Sequence, residues 1–289
     1  MSVKFGVAGN SDTFTQTVSK ASADAPKWLR SIGLDCYEYQ CGKGVHVGEA
    51  TARKVGKNAA EAEIGLSLHA PYFISLSNPD PEMLIKTTKY VTDSCMVAAW
   101  MGATRVVVHS GALMKRTSRE ALDIAKNSMG HIINVCDEMG YRDITLCPET
   151  MGKINQLGDL DEVLELCSLD ERLIPCVDFG HLYARTLGQL NGREACVMML
   201  DKMANALGED RAKQFHSHFS KIEFSLNGGE KKHLRFQDEG WGPAFEPLLE
   251  ELYRRSWSPT IICESSGSQS EDALTMKYYY ETLRKEAKQ

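Results

Sequence analysis

The chain has no uninterrupted apolar run near the ~18 residues of a membrane span. Its opening, MSVKFGVAGNSDTF, carries no secretory h-region. Neither insertion nor export is expected, and a cytoplasmic protein with no membrane partner is. No two of its nine cysteines stand in a CxxC spacing, which removes the usual thiolate zinc motifs. Cys147, Cys176 and Cys263 lie inside apolar, strand-like runs and are read as reduced core residues. There is no excess of positive charge: the formal net charge is −6, which argues against indiscriminate nucleic-acid binding. A GxGxxG loop is missing after the first apolar run, where the sequence reads VAGNSDTF, and no GxxxxGK[ST] occurs, so a nucleotide-binding open sheet is disfavoured. Neither an internal repeat nor a Pro-, Gly- or Ser-rich linker divides the 289 residues, and one domain over 1–289 is expected.

What is present is a rhythm. Eight short apolar or β-branched runs fall at residues 4–9, 34–40, 64–70, 104–110, 143–149, 174–179, 213–219 and 260–265. Helix-like segments such as LDEVLELC and FEPLLEELYRR separate them, with apolar residues at i, i+3 and i+4. Alternating β and α units predict a parallel sheet, and eight of them predict an α/β fold closed as a single (β/α)8 TIM barrel.

In such a barrel the chemistry sits at the C-terminal ends of the strands. The runs end in His69, His109, Glu149, Asp178, His216 and Glu264, with His181 three residues after Asp178 and His233 in the loop after the seventh run. A single histidine at a strand end is more often a hydrogen-bonded core residue than a ligand. Six such residues on consecutive strands are different, because carboxylates converging in one cavity repel one another unless cations compensate them. Imidazole and carboxylate without thiolate suit Zn2+, with Mn2+ or iron as alternatives. Two such ions with a water between them suit phosphodiester hydrolysis. His218 shares the strand face of His216 by period two; it is an extra ligand or, in preference, a packing or supporting residue.

The motifs LHAPYFISL (68–76), VVHSG (107–111), PETMGKINQLG (148–158), CVDFGHLYA (176–184), FHSHFSK (215–221) and CES (263–265) resemble the endonuclease IV family of apurinic/apyrimidinic endonucleases, and the similarity runs over essentially the whole chain. The resemblance implies hydrolysis of double-stranded DNA 5′ to abasic sites in base excision repair, by a monomer with two or three zinc ions. It assigns His69 and His109 to one ion with Glu149 bridging, and Asp178, His216 and Glu264 to the second. His181 and His233 go to the third, and Glu149 and Glu264 become the catalytic carboxylates. Where the family has Asp-x-His, this chain has Lys231-Lys232-His233. Either Glu230 reaches in, or Lys231 neutralises a leaving oxygen. The resemblance also makes Tyr72 and Phe73 a wedge for a flipped-out nucleotide and Lys43 a DNA contact. Lys43, Lys115, Arg116, Lys153, Lys221, Lys231, Lys232 and Arg235 all fall in loops after strands, as a cationic rim would.

Two other readings remain open. A sugar isomerase or epimerase of the xylose isomerase-like superfamily would use Glu149, Asp178, His216 and Glu264 around one ion, leaving His69 and His109 unexplained. A noncatalytic metal- or DNA-binding barrel would tolerate Lys231.

Overall fold

The computed structural model describes residues 2–286. Eight parallel strands close into a barrel: β1 (Lys4–Ala8), β2 (Cys36–Gln40), β3 (Gly65–His69), β4 (Arg105–His109), β5 (Thr145–Glu149), β6 (Cys176–Asp178), β7 (His216–Phe219) and β10 (Thr260–Cys263). All eight expected runs contain a strand. β1 closes the ring against β10, with Lys4 opposite Thr260 and Val7 opposite Cys263. The expected helices are also there: LDEVLELC is α6 (Leu160–Cys167), and the Leu248, Leu249 and Leu252 stripe of α10 (Glu246–Arg255) is fully buried. Among the described residues no helix is long and apolar enough to cross a membrane.

The apolar core lies between the strands and the surrounding helices, where Phe5, Leu34, Leu68, Met129, Phe215 and Trp257 are buried. The barrel interior is different. Barrels of this kind are commonly filled by branched aliphatic side chains. Here Glu38, Ser67 and Cys147 in the middle of their strands, and Cys176 and His216 at the start of theirs, lie buried. Polar groups this deep need partners, and they find them in one another.

Two local devices position the site. Asp178 ends β6 and also caps α7 (Phe179–Arg185): its Oδ1 accepts the His181 N–H at 2.7 Å, which fixes both residues at the barrel mouth. After β7 the chain makes an antiparallel hairpin outside the barrel, β8 (Lys221–Ser225) and β9 (Gly229–Leu234), where a plain loop is expected from sequence. Glu223 opposes Lys232 and Phe224 opposes Glu230, so Lys231 is the extra residue of a bulge. A bulge shifts side-chain parity by one, and Glu230 and His233 therefore face the same way although they are three apart. The hairpin is stitched to the loop after β5: Lys153 bridges Gly229, and the Glu230 N–H donates to the Gly152 carbonyl at 3.1 Å.

Candidate metal centre

Glu149 is at the middle of the barrel mouth and is almost fully buried. One oxygen, Oε2, lies 3.2 Å from His69 Nε2 and 3.1 Å from His109 Nε2. The other, Oε1, lies 2.9 Å from His218 Nδ1. Among the described residues four groups have ligand atoms within 4.8 Å of one another: three at the mouth, namely His69, Glu149 and His218; Glu149, Asp178, His218 and Glu264; and His181, Glu230 and His233; and a deeper one of Cys176, His216 and His218. A cavity of about 290 Å³ opens above them, lined also by Gln40, Tyr72 and Lys153.

The residues suit a bound cation. Asp178 Oδ2 is buried without a hydrogen-bond partner, a costly state for a carboxylate oxygen unless a cation meets it. The His69 Nδ1 lies 2.7 Å from the Ala70 carbonyl, that of His109 3.2 Å from the Tyr72 carbonyl, and that of His181 2.8 Å from the Thr150 carbonyl. A carbonyl can only accept, so each Nδ1 carries a proton and Nε2 is the nitrogen that either donates to a carboxylate when the ring is charged or offers its lone pair to a metal when it is neutral. Those Nε2 atoms point at Glu149 and Glu230, as metal-binding imidazoles require.

Electrostatics agree. Burial works against ionisation of Glu149, but His218, His109 and His69 outweigh it and hold the carboxyl well below the ordinary range. Burial likewise opposes protonation of His69, yet the hydrogen bond and charge of Glu149 lift it to about 9. His181 is also lifted to about 9, its burial outweighed by Asp178, Glu230 and Glu149. Asp178 is pushed up, chiefly by burial. In the absence of metal the cluster is thus compensated by protons, which divalent cations would displace.

Seven of the eight expected ligands converge here. His216 does not. It is the first residue of β7, paired with Cys176, and its Nε2 lies 2.8 Å from Glu38 Oε2, below the cluster. His218, two residues higher and opposite Asp178, takes the place expected for His216. The physical reason is where β7 begins: α9 (Glu209–Ala212) ends just before the expected run and a turn takes its first residues, so the strand starts only at His216 and reaches the mouth two residues later. His218 thereby stands among Glu149, Asp178 and Glu264, where an extra ligand would. Lys231 also faces away from the site, pairing with Glu223, and Glu230 supplies the carboxylate that the Lys-Lys-His sequence lacks.

Of the expected DNA-contacting residues, Tyr72 lines the cavity and is 51% exposed, unusual for a large aromatic next to a buried polar site. Phe73 is beside it, 45% exposed, its ring edge-on to Tyr90. Lys43 is exposed in the turn after β2, outside the cavity lining. Lys221 leaves the rim, because its ammonium is tied to the carbonyls of Phe236 and Asp238. Glu38 is the residue that sequence reasoning missed. The alternation Cys36, Glu38, Gln40 in CYEYQ, with tyrosines between, would have put it on the inner face.

A closed parallel barrel ringed by helices, with a buried imidazole–carboxylate cluster at its C-terminal mouth that could hold metal ions, is a (β/α)8 protein. Residues 26–285 match the family model described as xylose isomerase-like TIM barrel, and the chain belongs to that family. It is 32% identical over 253 residues to the uncharacterized protein MJ0133 of Methanocaldococcus jannaschii, covering 88% of this chain and 90% of that protein. It is 22% identical over 192 residues to a protein described as probable endonuclease 4 of Acholeplasma laidlawii, spanning 65% of this chain and 63% of that one. The solved D-tagatose 3-epimerase-like protein superposes with a TM-score of 0.73 at 20% identity, covering 99% of this chain and 100% of that chain. That likeness concerns the fold.

Proposed function

We propose that this chain is a metal-dependent phosphodiester hydrolase of the endonuclease IV type, a single-domain monomer that cuts duplex DNA 5′ to abasic sites in the cytoplasm. The observation that carries this reading is the pair His69 and His109 on one oxygen of Glu149. A single-ion centre is complete with Glu149, Asp178, His218 and Glu264, and leaves both imidazoles without a task. The likeness to the probable endonuclease 4 of Acholeplasma laidlawii supports the same class.

Zinc, with manganese as the alternative, would supply an acidified water and Lewis-acid stabilisation at phosphorus when two or three ions are bound. Glu149 is placed to bridge, one oxygen toward His69 and His109 and the other toward His218. Asp178, His218 and Glu264 complete a second site, and His181, Glu230 and His233 a third. Glu264, at the edge of the cavity, can orient the attacking water. Tyr72 and Phe73 would fill the gap left by an extruded nucleotide, while Lys43 and Lys153 contact phosphate.

The test is nicking of duplex DNA carrying a tetrahydrofuran abasic analogue by zinc-loaded protein, with bound metal counted on the same sample. Two or three ions and a cut 5′ to the analogue are expected. Intact DNA sinks the proposal. The four-ligand group Glu149, Asp178, His218 and Glu264 also suits a one-ion sugar epimerase. One ion per chain, with interconversion of ketoses, would establish that second reading.

A further inference from the structure

Three of the ligand histidines are aimed by main-chain carbonyls, and His218 is not. Its Nδ1 faces Glu149 and Glu264, and its Nε2 lies 2.9 Å from Glu38 Oε1, below the metal cluster. Glu38 is fully buried in the middle of β2. Its carboxylate is held on every side: Oε2 accepts from Ser67 Oγ at 2.8 Å and faces His216 Nε2 at 2.8 Å, and Gln40 Nε2 donates to Oε1 at 3.2 Å. His216 is backed in turn by Arg105, whose Nη1 lies 3.5 Å from its Nδ1 and whose Nη2 donates to the Gln214 carbonyl. A buried carboxylate fixed by three partners, Ser67, His216 and Gln40, cannot rotate freely, so it bears on the orientation of the imidazole 2.9 Å above it, whose Nε2 has no hydrogen-bond partner of its own.

We propose that Glu38 is a positioning residue for the metal centre: its carboxylate pairs with the Nε2 side of His218, keeps the proton there and thereby makes Nδ1 the metal-binding nitrogen. This rests on the metal-centre part of the function proposed above and is independent of its substrate. His69, His109 and His181 are the opposite case, each with Nδ1 engaged and Nε2 free. The inversion follows from position. His218 reaches the mouth from β7 directly above Glu38, so a side chain from β2 lies behind it where main-chain carbonyls lie behind the other three. A carboxylate behind a ligand imidazole also raises its basicity, and loss of such a partner typically weakens metal binding about 10–100-fold.

The experiment compares wild-type protein with Glu38→Gln, reading zinc affinity by competition with a chromophoric chelator and zinc-free stability by thermal unfolding. Glu38→Gln is expected to bind zinc about 10–100-fold more weakly, reach the wild-type count at higher zinc, and keep its zinc-free unfolding midpoint within a few degrees. Equal zinc affinity in the two proteins overturns the proposal. A wild-type chain that takes up no zinc defeats the metal-centre reading itself, a failure recognisable without any variant. If Glu38→Gln does not fold, nitrogen NMR of zinc-loaded wild type decides. A metal-bound Nδ1 with a slowly exchanging, far-downfield Nε2 proton on His218 is expected, and a metal-bound Nε2 refutes the assignment.

Discussion

Gly152→Ala tests whether the β8–β9 hairpin belongs to the metal centre. A Cβ at this position would lie 2.7 Å from Glu230 Cβ, 2.8 Å from Glu230 Oε2 and 3.0 Å from His181 Cδ2. Non-bonded carbons settle at about 3.5–4.0 Å, so a gap of roughly 1 Å must open. Turning the Glu230 side chain cannot open it, because the Cβ is as close as the carboxylate. The hairpin must move as a body, against the Glu230 N–H bond to Gly152 and the bridge from Lys153 to Gly229. Metal–ligand distances tolerate only about 0.2 Å. Overpacking of this kind typically costs about 1–3 kcal/mol. Taken out of the affinity of the ion held by His181, Glu230 and His233, it corresponds to a loss of roughly 5–150-fold. The other two groups at the mouth draw on the barrel strands and the residue just past β10, and should keep their ions. Zinc content after dialysis against graded free zinc reads this directly, with the variant losing one ion at concentrations that leave wild type full. The same substitution should add nothing further in a Glu230→Ala background, since both remove one interaction. Full zinc retention by Gly152→Ala, or loss of every ion at once, would refute the assignment of Glu230.

The remaining predictions concern the cluster and its rim. Glu149→Gln should lower nicking at least about 100-fold, on the scale of losing one preorganised electrostatic contact, and near-normal nicking would remove Glu149 from the centre. Because His69 and His181 are both lifted to about 9 in the metal-free protein, zinc must displace protons at neutral pH. Apparent zinc affinity should therefore climb with pH and level off near 9, while a flat profile above neutrality would count against these shifts. The same groups bind protons more tightly folded than unfolded, so the stability they add to the metal-free chain is full below the unfolded value of about 6.5. It is lost as pH rises through about 9, which urea titrations of chelated protein can follow. Lys231→Ala should leave zinc content unchanged, since Lys231 pairs with Glu223, and a changed count would restore it to the site. Tyr72→Ala should weaken binding to abasic duplex more than to intact duplex without altering zinc content, as gel-shift titration would show; equal effects on the two duplexes would remove the wedge.

Most of the fold, and most of the side chains that converge at the barrel mouth, were legible in the sequence, and the misreadings have a common cause. Eight β-branched runs separated by helical periodicity state a barrel without reference to long-range contacts. Period two then says which side chains face inward, but not how deep each one lies. His216 and His218 have the same parity, and only the pairing of Cys176 with His216 and of Asp178 with His218 decides which reaches the mouth. That register depends on where α9 releases the chain into β7, a boundary that apolar patterning in KQFHSHF does not mark. Glu230 was obscured by the bulge at Lys231, because one unpaired residue changes which side chains face the site while leaving composition and spacing untouched. Glu38 escaped for the opposite reason. Its strand was found, but attention to strand ends passed over a carboxylate in the middle of one.

The two kinds of support behind the histidines bear on how one barrel can serve different chemistries. His69, His109 and His181 are oriented by carbonyls of Ala70, Tyr72 and Thr150, which any side chain at those positions would supply. His218 and His233 instead face side chains, Glu38 in an ion pair and Ser220 in a hydrogen bond. The group formed by Glu149, Asp178, His218 and Glu264 is itself enough for one ion, and what surrounds it is additive: two histidines from β3 and β4 on one flank, a bulged hairpin and His181 on the other. A fold that keeps the central four and gains or loses the flanks can change the number of ions without rebuilding its core, so function follows the flanking residues more closely than the barrel. In this chain both flanks are present, and the hairpin flank depends on the absence of a single Cβ at Gly152.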